Sequence, residues 1–176
     1  HIDTIVLDKT GTVTEGRMTV VAATARGETT QADVIMAAGA TESGSEHPIA
    51  RAITSYARAR GSLASISKLQ NSPGLGVRAE LSESSAPIAQ LGPDKSVIVG
   101  RLELMEAEGL RVAEELRTAC IVQQAQGRTT VLVGWAGEAR GVIAVADVLK
   151  PTSAEAVRRM RALGLRPVLL TGDHEA

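Results

Sequence analysis

The chain has 176 residues, room for one domain or for one domain and pieces of a second, and 44% of them are apolar. Nineteen basic against twenty acidic residues leave a net charge of -1 with no basic run, which argues against a nucleic-acid surface. The single Cys120 excludes an internal disulfide framework and a cysteine-rich zinc site; with one Tyr, one Trp and no Phe, the core must be built from Val, Leu, Ile and Ala.

Residues 2–7, "IDTIVL", are a short apolar run ending in a polar loop, as a buried parallel strand does. Arg17 to Ala25 predicts a second strand. Helical periodicity covers 30–43 and then 48–60, where Pro48 takes the first turn and Gly61 the end. Residues 62–100 are rich in Ser, Gly and Pro with short Val and Ile alternations, which predicts antiparallel strands and turns. "RLELMEAEG" and "RVAEELRTACIVQQAQ" predict helices, and "RTTVLVG" with "EARGVIAVAD" a hairpin whose tip holds Trp135 between Gly134 and Gly137. "KPTSAEAVRRMRALGLRPVLLTGD" predicts a helix, then an apolar strand running into a polar loop. No run approaches the roughly 18 consecutive apolar residues of a membrane helix. No signal peptide opens the chain. The expectation is a cytoplasmic α/β chain with Cys120 as a small buried residue.

Both ends thus share one style, an apolar strand feeding a small polar loop, while the middle is mixed α+β. One domain interrupted by another is the natural reading, with segments 1–14, 15–142 and 143–176. The first loop, "DKTGT", places Asp8 just past a strand end, where open α/β sheets put their ligands. Lys9, Thr10, Gly11 and Thr12 add hydroxyls, backbone donors and a sharp turn, a set suited to phosphate. The second loop repeats the theme with Thr171, Gly172 and Asp173. Taken alone, each has an ordinary turn as its alternative. Together, one loop could hold a phosphoryl group while the other supplies a carboxylate nucleophile. Asp147 and Lys150 in "DVLKP" have two readings, an approach to the first loop or an exposed turn.

"DKTGTVTEG" resembles the phosphorylation motif of P-type ATPases, and "TGD" and "GVIAVADVLKP" fall where that family has its second phosphate loop and its return to the phosphorylation domain. The resemblance implies a partial phosphorylation domain of haloacid-dehalogenase-like, Rossmann-type fold. An α+β nucleotide-binding domain with an antiparallel sheet flanked by helices would interrupt it. It further implies that Asp8 takes the γ-phosphate of ATP as an aspartyl phosphate, with Mg2+ bridging Asp8, the Thr10 carbonyl and the phosphate. In phosphatases of the superfamily a second aspartate, acting as acid and base, stands two residues after the nucleophile. Thr10 stands there in this chain, so attack of water on the intermediate should be slow.

"SEHP", Ser45 to Pro48, resembles the heavy-metal-transporting class of that family, and its copper exporters more than its zinc and cadmium pumps. Matched residue by residue, the class implies adenine contacts from Glu42 and His47, glycines at Gly74 and Gly76, and a later glycine at Gly100. Arg101 replaces the asparagine common after that glycine and is left outside the site. A histidine at a helix N-terminus is disfavoured as imidazolium, and the neutral ring can lie against a purine. Glu42, if ionised, accepts from the adenine amine. Competing readings of His47 are a zinc ligand, short of partners with three histidines in the chain, and a core histidine. Glu46 is read as a solvated first-turn acid.

The chain ends at "TGDHEA", so it is expected to be a fragment that binds ATP or ADP with little turnover. In the whole membrane protein it would meet actuator and membrane domains, with the transported metal held by membrane helices. A soluble phosphatase with a large cap and a non-catalytic nucleotide-binding module remain as the rival functions.

Overall fold

The computed structural model describes residues 3–82, 91 and 95–170; Thr171, Gly172 and Asp173 lie outside them. Two compact units divide the chain, His1–Met18 with Asp147–Ala176, and Thr19–Ala146. Both divisions fall inside strands, β2 (Thr14–Ala25) and β7 (Glu138–Leu149), four residues beyond the boundaries expected from the sequence.

In the first unit, β1 (Thr4–Asp8) pairs in parallel with β8 (Arg166–Leu170), from Thr4 opposite Arg166 to Asp8 opposite Leu170. Helix α5 (Ser153–Ala162) precedes β8 and ends at Gly164, whose φ of +77° suits glycine. Parallel strands normally have both faces covered. Here Val6, Val168, Leu169 and Leu170 stay exposed, so this pair keeps only part of the burial its apolar sequence calls for.

The second unit is built on a six-stranded sheet in the order β2-β7-β6-β5-β4-β3, with β3 (Ile66–Ser72), β4 (Gly76–Leu81), β5 (Ser96–Gly100) and β6 (Thr129–Trp135). The pairs from β3 to β7 are antiparallel. Strand β5, "SVIVG", is buried along its whole length, because helices cover both faces. Ile98, Leu132 and Val142 join Leu104, Met105 and Leu116 of α3 (Leu102–Ala107) and α4 (Glu114–Gln124). The alternate positions Val97, Val99, Val133 and Ile143 fall on the other face by strand periodicity, and Gly141 meets Val34 of α1 (Gln31–Thr41) there.

Small residues let α1 lie between the sheet and α2 (Pro48–Arg58). A Cβ on Gly39 would collide with that of Ala57, so the two helices meet almost backbone to backbone. The start of α1 is fixed by a capping box between Thr30 and Asp33. Fully buried Ile53 and Leu116 each contribute about 1.5–3 kcal/mol by leaving water.

Trp135 is not the tip residue expected. It is the last residue of β6, pairs with Glu138 and is 1% exposed. The turn is Ala136–Gly137, both at positive φ as a two-residue hairpin requires, so Gly137 rather than the tryptophan sets it. Cys120 is half-buried rather than buried.

Candidate functional site

The chain from Thr41 to Ile49 is held step by step. Thr41 donates to the Ala37 carbonyl, Ser43 to that of Ala40 at 2.7 Å, and the Ser45 N–H to that of Glu42 at 2.9 Å. A single 3-10 turn, Glu42–Gly44, separates α1 from α2. It turns Glu42 inward, 6% exposed, and leaves Glu46 in solvent. Since α2 begins at Pro48, Glu46 precedes the helix and is not in its first turn.

His47 is the N-cap of α2. Its Nδ1 accepts the Ile49 N–H at 3.3 Å, with Pro48 at the first helical position. An Nδ1 that accepts carries no proton, so the Nε2 edge of the ring is its donor. Glu42 is the more perturbed group. Burial pushes its carboxyl up to about 7, so near neutrality it is shared between acid and carboxylate rather than ionised throughout.

Gly74 sits in the β3–β4 turn at φ +74° with open space where a Cβ would be. Gly76, at φ +147°, faces Gly100 across the β4–β5 pair. A Cβ on Gly76 would strike the Val99 carbonyl, and one on Gly100 the Leu75 carbonyl. These two glycines are therefore demanded first by the protein's own backbone, whereas Gly74 leaves room for something else.

Glu42, His47, Gly74, Gly76 and Gly100 line one open cleft of about 260 Å3. They come from an inter-helix turn, a hairpin and a strand end, so only the fold brings them together. Sequence reading missed other parts of the lining, among them Asn71 and Leu75 of the hairpin and Thr129 to Val131 of β6, and it left Arg101, which also lines the cleft, outside the site. The β6 residues arrive through sheet register, which no local motif encodes.

Asp8 ends β1 in the other unit and is exposed. Among the described residues no hydrogen bond reaches its carboxylate. Lys9–Val13, which includes Thr10 and Gly11, follows as one wide π-type turn, with Gly11 at φ +80°. Its bracing comes from the return segment. The Thr14 hydroxyl lies 2.6 Å from Asp147 Oδ2 and 3.0 Å from the Lys9 carbonyl, and it accepts the Gly11 N–H at 3.2 Å. Asp147 Oδ1 takes the Arg17 N–H at 2.8 Å, Lys150 Nζ donates to the Gly11 carbonyl at 2.5 Å, and the Ser153 hydroxyl donates to the Val13 carbonyl at 2.6 Å. Of the two readings of Asp147 and Lys150, approach to the loop is the one found.

The family model for haloacid dehalogenase-like hydrolases matches residues 2–176, and the chain belongs to that family. More particularly, the proteins it is similar to are P-type ATPases. One is "Probable copper-exporting P-type ATPase V" of Mycobacterium tuberculosis, 41% identical over 175 residues, which make up 98% of this chain and 21% of that protein. Another is the copper-exporting P-type ATPase of Bacillus subtilis, 38% identical over 181 residues, covering 99% of this chain and 20% of that protein. The chain thus spans about a fifth of the length of the curated relatives it matches. A zinc-transporting PIB-type ATPase in its E2.Pi state superposes with a TM-score of 0.78 at 26% identity, over 98% of this chain and 26% of that one. The catalytic domain of the CPx-ATPase CopB-B, solved for its conformational changes upon nucleotide binding, gives 0.66 at 26% identity, over 99% and 55%. The resemblance read from "DKTGTVTEG" and "SEHP" is met by both kinds of comparison.

Proposed function

We propose that the chain is the nucleotide-binding and phosphorylation region of a heavy-metal-translocating P-type ATPase, with a monovalent copper ion as the cargo of the whole protein. One observation carries the reading: the five residues matched to the adenine site, far apart in sequence, line a single cleft. The base enters between Glu42 and His47, with Nε2–H and the carboxyl offering a donor and an acceptor to its edge. Gly74 leaves the backbone open to the rest of the nucleotide.

Asp8 is the nucleophile. One carboxylate oxygen forms a bond to the γ-phosphorus in line as the bond to the bridging oxygen breaks, and ADP leaves with that electron pair. Lys9 and the amides of the Gly11 turn, joined by Thr171, Gly172 and Asp173, hold the transferring group. Thr10 in place of a second aspartate leaves the acyl phosphate without a nearby general base, which lets it persist. Among the described residues no cluster of three His, Cys, Asp or Glu side chains forms a closed metal site. The hard oxygen donors present, Asp8 and the Thr10 carbonyl, instead fit Mg2+, which takes one or two carboxylates and completes its shell with phosphate and water. Mg2+ bound there supplies neutralisation of the charge between carboxylate and triphosphate. In the whole protein this region meets actuator and membrane domains at the cytoplasmic face. No helix among the described residues is long and apolar enough to cross a membrane.

The test is calorimetry of ATP and GTP with the wild-type chain and His47→Ala. Selective ATP binding that the substitution weakens is expected, and equal affinities would remove the adenine assignment. Acid-stable labelling of the whole protein from γ-labelled ATP, lost in Asp8→Asn, tests the phosphoryl transfer.

A further inference from the structure

Arg101 follows Gly100 at the end of β5 and lines the same cleft. Its backbone N–H is anchored on the Leu75 carbonyl at 2.8 Å, which fixes it beside the Gly74–Gly76 turn. The side chain is exposed, and among the described residues nothing accepts from its guanidinium. An arginine held by its backbone, yet with five N–H donors open to solvent, has no structural task for its head group.

The cleft consequently carries one charge of each sign. Among the described residues that line it, Glu42 is the only carboxylate and Arg101 the only arginine or lysine. The acid is buried, 6% exposed, and the cation is exposed. A nucleotide has the matching polarity: a neutral base whose exocyclic amine donates, and a chain of anionic phosphates. Desolvating phosphate is far more costly than desolvating a base, so burial alone orients the ligand base-inward and phosphate-outward.

We propose that Arg101 binds the nucleotide phosphates at the mouth of the cleft. It sets affinity by phosphate charge, while Glu42 and His47 act on the base. This rests on reading the cleft as a nucleotide site. The guanidinium presents paired N–H donors that match two phosphate oxygens at once, a geometry that an asparagine in the same place lacks.

The experiment is an NMR titration of adenosine, AMP, ADP and ATP into the 176-residue chain and its Arg101→Ala and Arg101→Lys variants, at low and high salt. A thermal melt of each variant accompanies it; the exposed side chain predicts no change. Arg101→Ala is expected to leave adenosine affinity within about twofold and to weaken ATP by about tenfold, with AMP and ADP between them. Its ATP affinity should also lose most of its salt dependence, and Arg101→Lys should recover part of the loss. If the wild type binds ATP and Arg101→Ala binds it equally well, the proposal is overturned while the nucleotide reading stands. Equal weakening of adenosine and ATP also overturns it, because Arg101 would then act on the base or on the fold. Failure of the wild type to bind any of the four overturns the nucleotide reading itself, and the proposal with it.

Discussion

The Asp147 carboxylate grips Thr14 from 133 positions away, at 2.6 Å from its hydroxyl. Its other oxygen takes the Arg17 amide, so one side chain holds β2 on both sides of Gly16, where the strand takes a φ of +70°. The Thr14 hydroxyl in turn reaches the Lys9 carbonyl and Gly11 amide in the turn that follows Asp8, the proposed nucleophile. Asp147→Ala should therefore slow formation of the Asp8 phosphoenzyme in the whole protein by about tenfold or more, through loss of loop order. ATP affinity in the cleft should be unchanged. Rapid-quench labelling and calorimetry check the two halves, and a parallel loss of both would show general unfolding instead.

Glu42 gives the second unit a pH-dependent stability. The folded chain binds its proton more tightly than the unfolded chain, at about 7 against 4.5. The stabilisation is thus complete below pH 4.5 and lost as pH rises through about 7. Its full size is roughly 3 kcal/mol from the shift alone. Urea unfolding of Glu42→Gln should be flatter over that window than the wild type, and more stable than it at pH 8. An unchanged slope would mean that the carboxyl is not buried in solution.

His47 caps α2 and, in the proposed function, contacts the base; substitution can separate the two. His47→Ala removes the cap on Ile49 and should cost about 1 kcal/mol of stability as well as nucleotide affinity. His47→Asn restores a side-chain acceptor at the same position. It should keep wild-type stability while binding ATP as weakly as the alanine variant. Thermal melts alongside calorimetry decide this.

The three glycines should differ in cost. Gly76→Ala and Gly100→Ala drive a methyl into backbone and should destabilise by about 1–3 kcal/mol or more. Gly74→Ala meets nothing within 4 Å and bears only its positive φ, about 1 kcal/mol. Chemical unfolding of the three variants gives the order directly.

Strands, helices and the members of the cleft with a local signature were legible in the chain. The capping box at Thr30, Pro48 at the start of α2 and the hairpin glycines all act over a few residues. What was not legible is set at long range. Thr129 to Val131 join the cleft through the register of β6 against β5, and Asp147 finds Thr14 only once β2 and β7 run together. The burial of Trp135 depends on the sheet register that pairs it with Val97. Flanking glycines could not show it. Arg101 was set aside because it breaks a pattern, yet its place in the cleft depends on where β5 ends, whatever residue stands there.

The scarcity of aromatic residues has an optical side. Trp135 is the chain's one indole, shut away in β6, the strand whose first half lines the cleft. Tryptophan emission therefore comes from the second unit alone, and the first unit is dark. A melt followed by fluorescence and one followed by far-ultraviolet dichroism will coincide only if both units unfold together. The native chain can thus report, without any label, whether its two units melt as one.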